Sequence, residues 1–172
     1  MFDSATRGVR ILNEGQDDRP ARGTVLIVED HADSREILHF LFHKLGCTVL
    51  EASDGAEALR LIDDTHVDLI VTDLGLPEMG GLELVKRVRA DKRNQPDLKI
   101  ALVTAYDLAS HLDAAFEAGC DLVLAKPIGL DEFDCLVSLL PQSTKSQFYA
   151  DNTPIFQNQH VTGFREAKPM IR

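Results

Sequence analysis

The sequence predicts an α/β domain in which a parallel sheet is covered by helices on both faces. Three observations carry that expectation. Short apolar runs of strand length alternate with segments in which apolar residues recur three and four positions apart, the alternation of βαβ units. The first of these runs, T-V-L-I-V at 24–28, is apolar on both faces, as a strand buried between two helical layers must be. Finally, Gly46, Gly119 and Pro141 stand where helical patterns end. A chain of 172 residues, 44% hydrophobic and 27% charged, suits one such domain with short extensions.

Taken in order, residues 1–23 mix Asp, Glu, Arg, Asn and Gly without periodicity and read as a flexible, electrically neutral arm. Thr24–Val28 is the first strand and ends at two adjacent carboxylates, Glu29 and Asp30. Asp33 or Ser34 can cap the following helix, whose inward face is expected to be Ile37, Leu38, Leu41 and Leu45. Cys47–Glu51 is a second strand, and Asp54-Gly55 opens a helix with Ala58, Leu59 and Ile62 inward. Val67–Thr72 is the third strand; it ends at Asp73 and dissolves into a loop carrying Gly75, Pro77, Gly80 and Gly81. Leu82, Leu84, Val85 and Val88 define a helix to about Ala90, and a polar loop with Pro96 leads to the fourth strand, Lys99–Val103, ending at Thr104. Asp107–Ala118 is the next helix, with Leu108, Leu112, Ala115 and Phe116 as its apolar residues. Asp121–Leu124 is the fifth strand, followed by Lys126-Pro127, and Leu130–Leu140 is the last helix, with Phe133, Leu136, Val137 and Leu140 inward.

Right-handed crossovers between five such units make a flavodoxin-like strand order, 2-1-3-4-5, the natural topology. In that order strands one and three are neighbours, and ligands bind beyond the carboxyl ends of the strands. Glu29, Asp30, Asp73, Thr104 and Lys126 would then converge on one rim although they are scattered along the chain.

Charge and composition narrow the function. A formal net charge of −10 argues against nucleic acid or an anionic membrane as a direct partner. No apolar run approaches the ~20 residues that span a bilayer, and none follows a basic segment, so a cytoplasmic protein is expected. Cys47, Cys120 and Cys135 show no CxxC spacing and are expected to be reduced thiols. Residues 142–172 switch to Gln, Asn, Ser and Thr with isolated aromatics; this polar tail is expected to carry no output domain. His39 and His43, four apart on the first helix, could hold a metal but lack an apparent third ligand. His31, next to the acidic pair, reads as a loop residue near enough to tune it.

The rim residues fit one chemistry. Three crowded carboxylates repel and need a cation or raised pKa values. Mg²⁺ suits them, because it takes one or two carboxylates, waters and phosphate oxygens. A carboxylate can itself be the nucleophile in phosphoryl transfer, giving an aspartyl phosphate on Asp73. Positioning and charge neutralisation supply most of the catalysis in such transfers, with Lys126 offering a positive charge and Thr104 a hydroxyl. Gly75 can turn its carbonyl toward a metal without steric cost.

The ordered motifs V-L-I-V-E-D, T-D-L-G-L-P-E-M-G-G-L-E-L, A-L-V-T-A-Y and A-G-C-D-L-V-L-A-K-P, covering residues 24–141, resemble the receiver domain of two-component response regulators. Their spelling is closest to the receivers of hybrid histidine kinases. The resemblance implies phosphorylation of Asp73 by a histidine kinase or histidine phosphotransfer protein, with Glu29, Asp30, Asp73 and the Gly75 carbonyl around Mg²⁺. It further implies that Lys126 and Thr104 contact the phosphoryl group, and that output passes through the surface of helix four, strand five and helix five, where a homodimer could also form. Many receivers carry Tyr or Phe three residues before the lysine; here that residue is Val123, and Tyr106 is expected to cover the site instead. Two rivals are weighed against a single-domain phosphoacceptor switch that is not an enzyme in its own right. One is an unphosphorylated interaction scaffold. The other is an aspartate-nucleophile phosphatase of the haloacid-dehalogenase type, which needs an aspartate where Gly75 stands.

Overall fold

A computed structural model describes residues 22–91 and 97–141. The predicted arm up to residue 21, most of the Pro96 loop and the polar tail lie outside the described residues. Five strands alternate with five helices: β1 (Thr24–Val28), α1 (Ala32–Lys44), β2 (Thr48–Ala52), α2 (Gly55–Asp64), β3 (Leu69–Asp73), α3 (Gly81–Ala90), β4 (Lys99–Thr104), α4 (Leu108–Ala118), β5 (Leu122–Ala125) and α5 (Leu130–Ser138). All strand pairings are parallel, in the predicted order β2-β1-β3-β4-β5. Boundaries differ from the sequence reading by a residue or two. Arg22 and Gly23, assigned to the arm, are tied to the sheet edge by hydrogen bonds between Arg22 N–H and the Gly46 carbonyl and between Thr48 N–H and the Gly23 carbonyl.

Alternate residues of the strands face opposite layers. Leu26, Val28, Ile70, Ile100, Leu102 and Val123 meet α2, α3 and α4 on one face. Val25, Ile27, Leu69, Val71, Val103 and Leu122 meet α1 and α5 on the other. Leu112 and Phe116 pack against the first of these cores; the side chain of Leu108 lies outside the described set.

The sequence misjudged the inward face of α1. Ile37 is 61% exposed, whereas Phe42 is completely buried against Phe133 of α5, with ring centroids 5.0 Å apart. The inward stripe is Leu38 and Phe42, both buried, with Leu41 and Leu45 partly buried beside them, spaced by three, four and seven residues. Ile37 precedes Leu38 by about 100° around the helix, which turns it off the stripe. The expected caps, Asp33 and Ser34, fall inside the first turn; the N-cap is His31, and it makes no side-chain cap. By contrast, Asp54 and Asp107 cap α2 and α4 by accepting backbone N–H groups. Gly46 and Gly119 take left-handed φ values of 83° and 107° at the helix ends where the pattern placed them.

Candidate functional site

The register brings the strand ends level. Val28 pairs with Thr72, Asp73 with Val103, and Thr104 with Ala125, so residues just beyond β1, β3, β4 and β5 share one rim. Two loop hydrogen bonds continue the ladder past the strands, from Leu74 N–H to the Val103 carbonyl (3.2 Å) and from Lys126 N–H to the Thr104 carbonyl (2.7 Å). The site therefore rests on sheet backbone.

Asp73 is buried at the end of β3. Its Oδ1 accepts the Gly75 N–H (3.0 Å), and its Oδ2 accepts a short hydrogen bond from Lys126 Nζ. The same ammonium donates to Glu29 Oε2 at 2.7 Å. Glu29 is buried as well, held by its N–H to the Ala52 carbonyl (3.1 Å) and by Arg35 Nη1 on its own carbonyl oxygen (2.6 Å). The repulsion expected between these carboxylates is thus offset from within the chain: Lys126 bridges two of them. Burial pulls the Lys126 pKa down, but the hydrogen bonds and charges of Asp73 and Glu29 outweigh it, and the value lies above that of an ordinary lysine. The peptide bond from Lys126 to Pro127 is cis.

Asp30 points outward and shares a short contact with the next residue, His31 Nδ1 to Oδ1, at 2.8 Å. His31 Nδ1 also lies 3.3 Å from Glu29 Oε1. Among the described residues, Glu29, Asp30 and His31 form the one trio of metal-ligating side chains whose donor atoms all lie within 4.8 Å of one another. His39 and His43 do not extend to such a trio. Their rings stack with centroids 5.9 Å apart and planes 23° apart, and His39 is occupied by Glu51 Oε1 at 3.1 Å.

Thr104 is fully buried, and its Oγ1 accepts the Tyr106 N–H at 2.9 Å, leaving the hydroxyl proton free to donate elsewhere. Tyr106 is 60% exposed, and its ring lies over Gly75: a Cβ added there would meet the Tyr106 Cε2 at 3.2 Å. Gly75 is therefore a glycine that makes room for the ring, not one in a left-handed conformation. Positive φ in this loop belongs instead to Glu78, at 60°. Val123 is fully buried in the core beneath α2, α3 and α4.

All six residues singled out by sequence, Glu29, Asp30, Asp73, Gly75, Thr104 and Lys126, lie on this rim. Sequence reasoning missed Arg35, which fixes the Glu29 carbonyl from one turn into α1. An arginine six residues from its partner carries no local motif, so no signal marked it.

The response regulator receiver domain family matches residues 25–137, and the chain belongs to that family. The sensor protein EvgS of Escherichia coli (strain K12) is 34% identical over 123 residues; the alignment covers 72% of this chain but only 10% of EvgS. Sporulation initiation phosphotransferase F of Bacillus subtilis (strain 168) is 30% identical over 118 residues, covering 68% of this chain and 93% of that protein. A similar solved structure is the receiver domain of Ssk1 crystallised with the histidine phosphotransfer signaling protein Ypd1 of Saccharomyces cerevisiae. It has a TM-score of 0.62 and 27% identity, and covers 67% of this chain and 86% of that one. The chain is thus a two-component receiver domain with a flavodoxin-like fold. No helix among the described residues is long and apolar enough to cross a membrane.

Proposed function

We propose that the chain is a response regulator that accepts a phosphoryl group on Asp73 from a histidine kinase or histidine phosphotransfer protein. The observation that carries this reading is the Lys126 ammonium bridging Asp73 and Glu29 at the rim. A buried carboxylate restrained in this way faces the donor with one fixed orientation, which lowers the entropy cost of attack. An Asp73 carboxylate oxygen forms a bond to phosphorus as the phosphorus–nitrogen bond of phosphohistidine breaks, and the electron pair, then a proton, goes to the imidazole. Lys126 follows the negative charge from the carboxylate to a phosphoryl oxygen, and the free hydroxyl proton of Thr104 donates to another.

The acidic rim fits Mg²⁺, whose hard oxygen ligands would be Glu29, Asp30, Asp73 and the Gly75 carbonyl. When bound, the ion would neutralise the carboxylates and the incoming phosphoryl oxygens. Phosphorylation shifts an existing equilibrium between two conformations, with Thr104 rather than an aromatic at position 123 as its moving part. The output is protein binding or onward phosphorelay, not nucleic-acid binding, in keeping with the net charge of −10. The face of α4, β5 and α5 is the proposed output surface, and a homodimer through it is a second arrangement.

Incubation with acetyl phosphate and Mg²⁺, followed by intact mass, tests the central step. A phosphoryl adduct is expected on the wild-type chain and absent from Asp73→Asn. If neither acetyl phosphate nor a phosphorylated histidine phosphotransfer protein gives an adduct, the chain is an interaction scaffold instead.

A further inference from the structure

We infer that the exposed apolar pair Ile37 and Phe40 on α1 is the docking site of the chain's own C-terminal tail, with Phe148 and Tyr149 as the residues that cover it. The two α1 side chains lie three positions apart, about one helical turn, and are 61% and 58% exposed. Both are turned away from the core between α1 and α5 that Leu38 and Phe42 fill. A single exposed apolar residue is ordinary, but two large ones side by side gain from being covered together.

The point at which the chain leaves the domain selects this occupant. Pro141 stands beside Gly23, where an added Cβ would meet Pro141 Cδ at 3.4 Å. The adjoining Arg22 donates its N–H to the carbonyl of Gly46, which directly follows the α1 C-cap, Leu45. The tail therefore begins beside the C-terminal end of α1. Phe40 lies about 9 Å back along that helix from Gly46, and Ile37 about 14 Å, at about 1.5 Å per residue. Residues 142–147, Q-S-T-K-S-Q, hold no apolar side chain, and the next two residues are Phe148 and Tyr149. Phe148 is seven positions beyond Pro141, a reach of up to about 23 Å, so the aromatic pair arrives at both α1 positions with slack. The other exposed large apolar residues, Tyr106 and Leu130, stand at the opposite end of the sheet, where β4 ends and α5 begins. Charge agrees with the choice. The exposed Lys44 holds its ammonium 5.3 Å from the centre of the Phe40 ring, and Asp151, two positions past Tyr149, is the one charged residue in 146–156. A segment tethered this closely has a local concentration of about millimolar, so a contact too weak to hold separate molecules together is sufficient here.

The chain has no tryptophan, so a single one introduced on this face reports its cover. Phe40→Trp changes an exposed position and leaves the core alone, and acrylamide quenching of the full chain is the readout. Quenching of Phe40→Trp is expected to be about twofold weaker than that of Phe40→Trp/Phe148→Ser/Tyr149→Ser, equally at low and high protein concentration, as an intramolecular contact requires. Equal quenching of the two proteins overturns the proposal. Protection that appears only as concentration rises also overturns it and assigns the face to a second copy. A second measurement leaves α1 unaltered: Phe148→Ser/Tyr149→Ser in the otherwise native full chain should shift the amide resonances of residues 36–44 and not those of α4. Unmoved α1 resonances, or shifts confined to α4, place the tail elsewhere and overturn the assignment.

Discussion

At the scale of single residues, Lys126 holds the site together, because two buried carboxylates depend on one ammonium group. Lys126→Met leaves Glu29 and Asp73 facing each other without a cation. It should lower stability by about 2 kcal/mol, measured by urea unfolding without divalent ions. Added Mg²⁺ should restore part of the loss by replacing the missing charge. The pH dependence has a definite sign. The folded-state pKa of Lys126 is raised above 10.5, so its contribution is complete below that value and is lost only as pH rises through the higher folded value. Wild type should therefore keep its advantage over Lys126→Met across neutral pH and lose it in strong alkali. Tyr106 has a different task. Its ring lies against Gly75, two residues beyond Asp73. Tyr106→Ala should shorten the lifetime of the aspartyl phosphate severalfold, followed by loss of the mass adduct over time; an unchanged lifetime would refute the covering role.

At the scale of elements, the site depends on how closely α3 approaches the end of β3. Gly81 opens α3, and a Cβ there would fall on the Asp73 carbonyl oxygen, with Leu102 Cδ1 at 3.1 Å. Because the obstructing atom is backbone, the strand end or the helix has to move. Gly81→Ala should cost about 1–3 kcal/mol in unfolding free energy. It should also slow phosphorylation by acetyl phosphate, since the displaced residue is Asp73. A loss of stability with no change in rate would mean that α3 moves and the strand does not. The same principle of packing explains α1. Its helical pattern was legible, but which neighbouring apolar residue turned inward depended on where α5 delivered Phe133 to meet Phe42.

For the whole molecule, charge sets what is expected of self-association. The proposed α4–β5–α5 face carries exposed Asp113 and Glu117 on α4 and Asp131 and Asp134 on α5, with no lysine or arginine on either helix. Two copies meeting through it would place like charges together, so sedimentation velocity of the unphosphorylated protein should show a monomer at low salt. Any association through this face should strengthen as salt screens the repulsion. Dimers that instead dissociate on adding salt would point to another surface.

The sequence by itself determined the alternation of strands and helices, the strand order, and the polar residues at the strand ends. These follow from local periodicity and from a chain-crossing rule that admits few topologies. It also placed Asp73 at the end of a buried strand. Only the tertiary structure decided that Lys126, not a bound ion alone, compensates Glu29 and Asp73, and that Arg35 and His31 join the rim. It likewise decided that Tyr106 lies over Gly75 and that Phe42 replaces Ile37 in the core. The physical reason is common to all of these. Side-chain partners separated by 53 or 97 residues, as Lys126 is from Asp73 and Glu29, leave no periodic trace in the chain, because their meeting is set by strand register and helix packing.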